Sequence, residues 1–514
     1  MRRSLTVIVV IASVLLSACS AAESTQLLNA ENYSGIPLPV TSAAQVTTSP
    51  VTNRTTTPQR TRETTASRSS SASSASTAST TSRNSEVSSR PTSTTSPQKS
   101  SVTSTARTSQ SAVEIPKTTR RIETSATQAA TTSVMPVSNN SGTNTYRTLN
   151  HDMVRGVWIS YIELGSVLMG KSESAFRTGF SQMMDNCARF GINTVYVHVR
   201  PFGDAIYKSE LFPWSKYASG NIATAPDFDP LEIMLEEARK RNISFHAWLN
   251  PLRLSRDADM IKLSDKYKIG EWYNGARRGD YIVKVGDMWY LNPAYEPVRK
   301  LIADGAAEIV AAYDVDGIHI DDYFYPTTDS SFDSIAFNAS SFDSRTDFRF
   351  DNINKVVLSL NQSIKRANNS TLFGISPQGS VENNINHLYA DVNLWSANTD
   401  YCDYILPQIY YGFKNQAQPF EECLARWVNM TRNSGVKLIA GLAVYKAGKE
   451  DTWAGEGKDE WQKNSNIISR QLTVANQSNV GVSFFSYSYL FGTESQSAAV
   501  QAEIANIRGA NSDE

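Results

Sequence analysis

The sequence predicts an α/β fold, a (β/α)8 TIM barrel with long βα loops, carried behind a disordered Ser/Thr-rich tether. Three observations lead there. From about residue 150 onward, strand-like and helix-like segments alternate. Eight of these segments are short, apolar and β-branched, the pattern of strands buried on both faces. Between Tyr33 and Tyr146 there is no Phe, Trp or Tyr, and 40 of the 80 residues from 51 to 130 are Ser or Thr. Such a stretch cannot bury enough apolar surface to offset chain entropy.

The elements follow in chain order. Arg2 and Arg3 precede an apolar run from Leu5 to Leu16, then Leu16-Ser17-Ala18-Cys19. Twelve apolar residues fall short of the roughly 20 that cross a bilayer. The run reads instead as a lipoprotein signal, residues 1–19, with Cys19 as the lipid attachment site. Residues 20–148 form the linker, whose flexible part of about 110 residues has a root-mean-square span of roughly 55–60 Å. That reach predicts an extracytoplasmic domain, lipid-anchored to the bacterial cell membrane and extending into the cell wall. The folded domain is expected over 149–510. Its predicted strands are Gly156–Tyr161, Ile192–Val199, Ile243–Leu249, Gly317–Ile320, Thr371–Ser376, Tyr404–Ile409, Val436–Leu442 and Val482–Phe485. Helical periodicity appears at Ser174–Phe190, Leu231–Arg241, Tyr295–Tyr313, Asn352–Ala367, Phe420–Asn433 and Ser495–Ile507. Extra length lies after strands two, three and four, at 201–228, 251–293 and 322–350, in the loops that build the active face of such a barrel.

Charge narrows the function classes. Residues 51–130 carry 11 Lys+Arg against 4 Asp+Glu, whereas residues 131–514 carry 36 against 44. The basic residues thus sit in a tether without aromatics, which excludes a nucleic-acid binder. Beyond Cys19 only Cys187, Cys402 and Cys423 remain, each in a predicted strand or helix, so buried unreactive thiols are expected rather than a disulfide framework. Asp227 and Asp229 precede the second helix as caps. A monomer without cofactor or metal is expected.

The strand ends carry the chemistry. Strand two ends in His198, Arg200 and Asp204, strand three in His246, Trp248 and Asn250, and strand four in His319, Asp321, Asp322, Tyr323 and Tyr325. A period of two puts His198 with Arg200, His246 with Trp248 and Asn250, and His319 with Asp321 on common faces. Strand five adds Ser376 and Gln378, strand six Gln408 and Tyr410, strand eight Ser486 and Tyr487, and Glu163 lies just past strand one. Barrel interiors are normally filled by branched apolar residues, so this crowding points to a carbohydrate site, with rings for sugar faces and amides, Arg and carboxylates for hydroxyls. The three histidines fit a hydrogen-bonded structural layer as well as they fit substrate contact.

At these residues the chain resembles a known group, the bacterial glycosyl-hydrolase-like family 10 lipoproteins. The resemblance covers about 150–490 and rests on Arg155-Gly156-Val157-Trp158, Val197-His198-Val199-Arg200-Pro201 with Asp204 and Phe212-Pro213-Trp214, His246-Ala247-Trp248-Leu249-Asn250-Pro251, Tyr290-Leu291-Asn292-Pro293 and the run Asp316 to Pro326. It implies a glycosidase-like barrel of the cell envelope acting on peptidoglycan glycan strands, notably strands without stem peptides. Strands five to eight offer no carboxylate at the mouth, so an acid and nucleophile on facing strands would need Glu163 or Asp204 with Asp321. The adjacent pair Asp321-Asp322 is similar to the acid pairs of N-acetylhexosaminidases. There the substrate's acetamido oxygen attacks while one carboxylate orients it and its neighbour protonates the leaving oxygen. On that reading Asp321 holds the acetamido group and Asp322 is the general acid. Two other classes stay open: a glycan-binding wall protein on a silent barrel, and a metal-dependent hydrolase using His198, His246 and His319.

Overall fold

The computed structural model describes residues 146–512. The expected signal segment, Cys19 and all but the last three residues of the expected linker lie outside them. Eight parallel strands close a barrel in the order β1 (Arg155–Ile159), β2 (Thr194–Arg200), β3 (Ser244–Leu249), β7 (Gly317–Ile320), β8 (Leu372–Ile375), β9 (Tyr404–Ile405), β10 (Lys437–Ala443) and β11 (Gly481–Phe485), with β11 pairing back onto β1. All eight predicted strands are present. The helix Ile467–Gln477 between β10 and β11 completes a unit that periodicity alone left unassigned.

Outward-facing strand residues such as Val157, Ile159, Val195, Val197, Ala247, Leu249, Ile318 and Ile320 meet the helical ring in one continuous core. The helix Glu173–Arg189 shows why these segments are helical. Ser172 caps it by accepting from the Ala175 amide, and Phe176, Phe180, Met183, Met184 and Cys187 recur at helical spacing along its buried face. Truncating Phe180 to Ala would cost about 3–5 kcal/mol. Asp229 caps the helix Pro230–Arg239 as expected, accepting from the Leu231 amide at 3.0 Å. Cys187, Cys402 and Cys423 are buried free thiols whose ionisation burial disfavours.

The barrel interior is a second cluster, built from Trp158, Tyr196, Trp248, Tyr404, Leu406, Ile439 and Phe485. Rings of that size fit because glycines face them. A Cβ on Gly374 would stand 1.8 Å from the Tyr404 ring, and one on Gly317 2.2 Å from His246. The long loop after β3 carries a three-stranded sheet absent from the sequence reading: β4 (Arg253–Arg256) pairs with β6 (Met288–Leu291), which pairs with β5 (Ile282–Val285). Gly286 opens the β5–β6 turn at φ 61°. At the opposite end of the barrel, Asp316 accepts from the Phe245 and Leu149 amides and the Tyr146 hydroxyl, so the chain is tied down from Tyr146 onward.

Candidate active site

Beneath the mouth lies a layer of interlocked rings. Trp158 Nε1 lies 3.2 Å from His319 Nε2, His319 Nδ1 lies 3.1 Å from the Tyr404 hydroxyl, that hydroxyl lies 2.8 Å from His246 Nδ1, and His246 Nε2 lies 3.2 Å from Ser244 Oγ. An indole N–H can only donate, which fixes every other proton in turn. His319 accepts at Nε2 and donates from Nδ1 to Tyr404, and Tyr404 donates to His246 Nδ1. His246 then donates from Nε2 to Ser244. Burial holds His319 well below the usual histidine range and His246 down to about 3, so both rings are neutral. For His246 and His319 this decides for the structural layer. With both nitrogens of each ring engaged, the two do not converge with His198 on a metal.

Above this layer sit the two aspartates at the end of β7, both buried and turned toward different walls. Asp321 faces β3: Trp248 Nε1 donates to its Oδ2 at 2.9 Å, Asn250 Nδ2 lies 3.3 Å from Oδ1, and the Tyr323 amide reaches Oδ1 at 3.4 Å. Asp322 faces the other way. Gln378 Nε2 donates to its Oδ2 at 3.1 Å and Gln408 Nε2 to its Oδ1 at 3.0 Å. Burial raises both carboxyls, but the charge of Asp322 raises Asp321 further, to about 7, while the two glutamine amides oppose the rise at Asp322. The pair therefore resists carrying two charges near neutral pH, and the charge of Asp322 favours the proton on Asp321. Asn250 is fixed in turn because its Oδ1 accepts from the Arg253 amide at 2.9 Å.

Several expected site residues are employed elsewhere. Arg200 is the clearest correction. The β2–β3 register shifts between His198, opposite Trp248, and Arg200, opposite Leu249, so a bulge breaks the period of two and turns Arg200 to the outer face. There its guanidinium lies 4.5 Å from the Phe212 ring centroid, close to Gly305 of the helix Glu296–Ala312. Glu163 lies at the third position of the helix Tyr161–Leu168. It accepts from the Ser160 amide at 2.7 Å and from Ser486 Oγ and the Ser488 amide, each at 2.6 Å, clamping the ends of β1 and β11 together. Asp204 is buried and accepts from the Phe202 amide at 2.9 Å within its own loop. Tyr325 is buried in the outer core, where Asn352 donates to its hydroxyl at 3.1 Å, and Tyr487 packs outward with Asn186 donating to its hydroxyl at 2.8 Å. The period of two misplaced Arg200 because of the bulge, whereas Glu163, Asp204, Tyr325 and Tyr487 lie past their strand ends, where strand periodicity gives no direction.

The remaining expected residues converge on the mouth. The His198 ring stacks on Trp248, with centroids 3.8 Å apart. Tyr410 packs on Phe485 and Tyr445 beside Gln408, and Tyr323 stands next to the aspartates. Sequence reasoning missed the partner of Tyr323. Arg253 lies between two rings, 4.1 Å from the Tyr323 centroid and 4.6 Å from that of Phe202. Its signal was present in Asn250-Pro251-Leu252-Arg253, where the asparagine side chain closes a turn over the arginine amide. Tyr161 and Tyr217, whose centroids lie 4.6 Å apart, extend this aromatic wall.

The arrangement combines a buried carboxyl beside Trp248 and Asn250, an adjacent carboxyl fixed by two amides, and a ring-lined opening. Residues 153–455 match the model of the family described as Glycosyl hydrolase-like 10. The protein named glycosyl hydrolase YngK, from Bacillus subtilis strain 168, is 34% identical over 321 residues, covering 57% of this chain and 61% of the relative. This chain thus spans about three fifths of that relative's length. Glycosyl hydrolase DigH of Escherichia coli K12 is 29% identical over 351 residues, 62% of this chain and 79% of that protein. Among solved structures, the PgaB (BpsB) glycoside hydrolase domain of Bordetella bronchiseptica aligns with a TM-score of 0.44 at 11% identity, over 69% of this chain and 99% of that one.

Proposed function

The chain belongs to the glycosyl hydrolase-like 10 family, and on that premise we propose that its barrel hydrolyses glycosidic bonds between 2-acetamido sugars in peptidoglycan-type glycan strands, including strands free of stem peptides. The observation that carries this reading is the buried pair Asp321-Asp322, two adjacent carboxyls held in opposed hydrogen-bond sets. Asp322, ionised and held by Gln378 and Gln408, orients the substrate's acetamido group and balances the positive charge of the cyclised intermediate. Asp321 protonates the leaving oxygen. These roles reverse the expectation from sequence, because the amides favour the charged form of Asp322 while the neighbouring charge keeps the proton on Asp321. The lipid anchor at Cys19 and the tether would place this site within the cell wall; Cys19→Ala should release the protein from membranes, and retention of the mutant there would count against the anchor.

Incubating the protein with peptide-free glycan strands and identifying products by mass spectrometry tests the activity. Asp321→Asn and Asp322→Asn should each lose most turnover, and a thiazoline mimic of the cyclised intermediate should inhibit the wild type. A covalent adduct trapped by a fluorosugar would keep the hydrolase and discard substrate assistance. Full activity of both variants would remove catalysis from this pair, and binding without any product would leave a glycan-binding protein.

A further inference from the structure

One group at the mouth has no part in the chemistry just described. The Arg253 guanidinium is clasped between Phe202 and Tyr323, and its hydrogen bond within the fold is a long one of 3.5 Å from Nε to the Pro201 carbonyl. Among the described residues no carboxylate lies within ion-pair distance of it, although the field of Asp321 reaches it. A second polar group in this wall is also unspent. His198 is 1% exposed, and neither ring nitrogen has a hydrogen-bond partner. Its ring is pinned by Trp248 on one face and met by the edge of Tyr161, 5.4 Å between centroids, and it feels the charge of Arg253.

The half-buried guanidinium held between aromatic faces has no anion beside it among the described residues, and a buried histidine with both nitrogens unsatisfied is costly. A ligand that pairs with the arginine and accepts from the imidazole would satisfy both groups. The rings restrain the guanidinium, so that little side-chain freedom remains to be lost when a planar anion arrives. The donors on offer are the N–H groups of one guanidinium and one imidazole N–H, a set suited to two oxygens of a carboxylate. A neutral sugar hydroxyl would leave the charge uncompensated.

We infer that Arg253, with His198, forms a carboxylate-recognition subsite beside Asp321, selecting substrates whose sugar in the mouth carries a free carboxylate. The inference rests on the hydrolase reading and specifies its substrate. In a peptidoglycan strand the carboxyl group on the sugar's ether-linked side arm is tied up as an amide wherever a stem peptide is attached, and is free where the peptide has been removed. Arg253 is then the residue that distinguishes the two. Binding of the anion also offsets the arginine's pull on Asp321, favouring the proton that the acid must carry.

The test compares peptide-free glycan strands with the same strands after reduction of their carboxyl groups to alcohols. The wild type should favour the carboxylate form in kcat/KM by roughly 10- to 100-fold, the range expected for losing a charge-assisted contact. In Arg253→Gln that ratio should fall to near one, and Arg253→Lys should restore part of it. Calorimetric titration of full-length Asp321→Asn with both glycans reads the same preference without turnover, so absence of hydrolysis would sink the enzymatic reading while leaving this one measurable. Equal affinity and equal kcat/KM for the two glycans in the wild type would overturn the inference. So would an Arg253→Gln variant that loses both activities in equal proportion, since Arg253 would then serve Asp321 or the fold instead.

Discussion

A buried acid whose function needs its proton is a stability liability once that proton is gone, and Asp321→Asn should expose the liability. Asp321 is 3% exposed, and its pKa is raised from 3.8 to about 7. The folded state therefore binds a proton that the unfolded chain releases between about pH 4 and 7. Stability contributed by this group falls as pH rises through that window and is fully lost above it. Three units at about 1.4 kcal/mol each come to about 4 kcal/mol, with little solvent screening to discount at so buried a site. Asparagine keeps the shape and, through its carbonyl oxygen, the acceptor for Trp248. Its amide meets the Asn250 amide, now without an acceptor, at a cost of about 1 kcal/mol. Asp321→Asn should therefore be about 3 kcal/mol more stable than the wild type at pH 8 and about 1 kcal/mol less stable at pH 4, while turning over almost nothing. Urea unfolding of both proteins at the two pH values, followed by tryptophan fluorescence, measures the difference. A variant equally destabilised at both values would show that Asp321 is ionised without strain, and the reasoning about its proton would fall.

Gln408→Leu removes a donor to Asp322 worth about 1.5–3 kcal/mol to its charged form, so the acid-side limb of the pH–rate profile should move up by about 1–2 units; an unmoved limb would dissociate Gln408 from the charge on Asp322. Tyr404→Phe leaves His246 Nδ1 and His319 Nδ1 each without a partner and should cost about 2–4 kcal/mol in unfolding free energy. The catalytic roles assigned above involve neither histidine, so a loss of stability below 0.5 kcal/mol would contradict the interlocked layer. Glu163→Gln presents an amide to groups that donate and should destabilise by about 2 kcal/mol with kcat on peptide-free glycan unchanged; a collapse of kcat at intact stability would return Glu163 to the catalytic candidates.

Much of this protein's architecture is legible in its sequence. Eight short apolar runs alternating with amphipathic helices determine a closed parallel barrel, since strands buried on both faces need a helix after each and a neighbour on each edge. The two carboxylates after Gly317–Ile320 could be assigned to the mouth because a strand's C-terminal end in this fold has one place to go. Local caps such as Asp229 were equally readable, being decided within four residues.

What the sequence left undecided were relations between segments far apart in the chain. A single bulge in β2 sends Arg200 to the outer face, and nothing in the local residue types announces it, because register depends on the neighbouring strand. The choice for His246 and His319 between substrate and structure was made by Tyr404, some 158 and 85 residues away. The division of labour between Asp321 and Asp322 is likewise tertiary. Adjacent and chemically identical, they differ because one is met by the β3 side and the other by amides from beyond β8 and β9. Composition and periodicity thus determined the scaffold and the location of the chemistry, which depend on local pattern and burial. Proton placement, ring partners and the facing of Arg253 depend on distances between strands, which the closed barrel alone establishes.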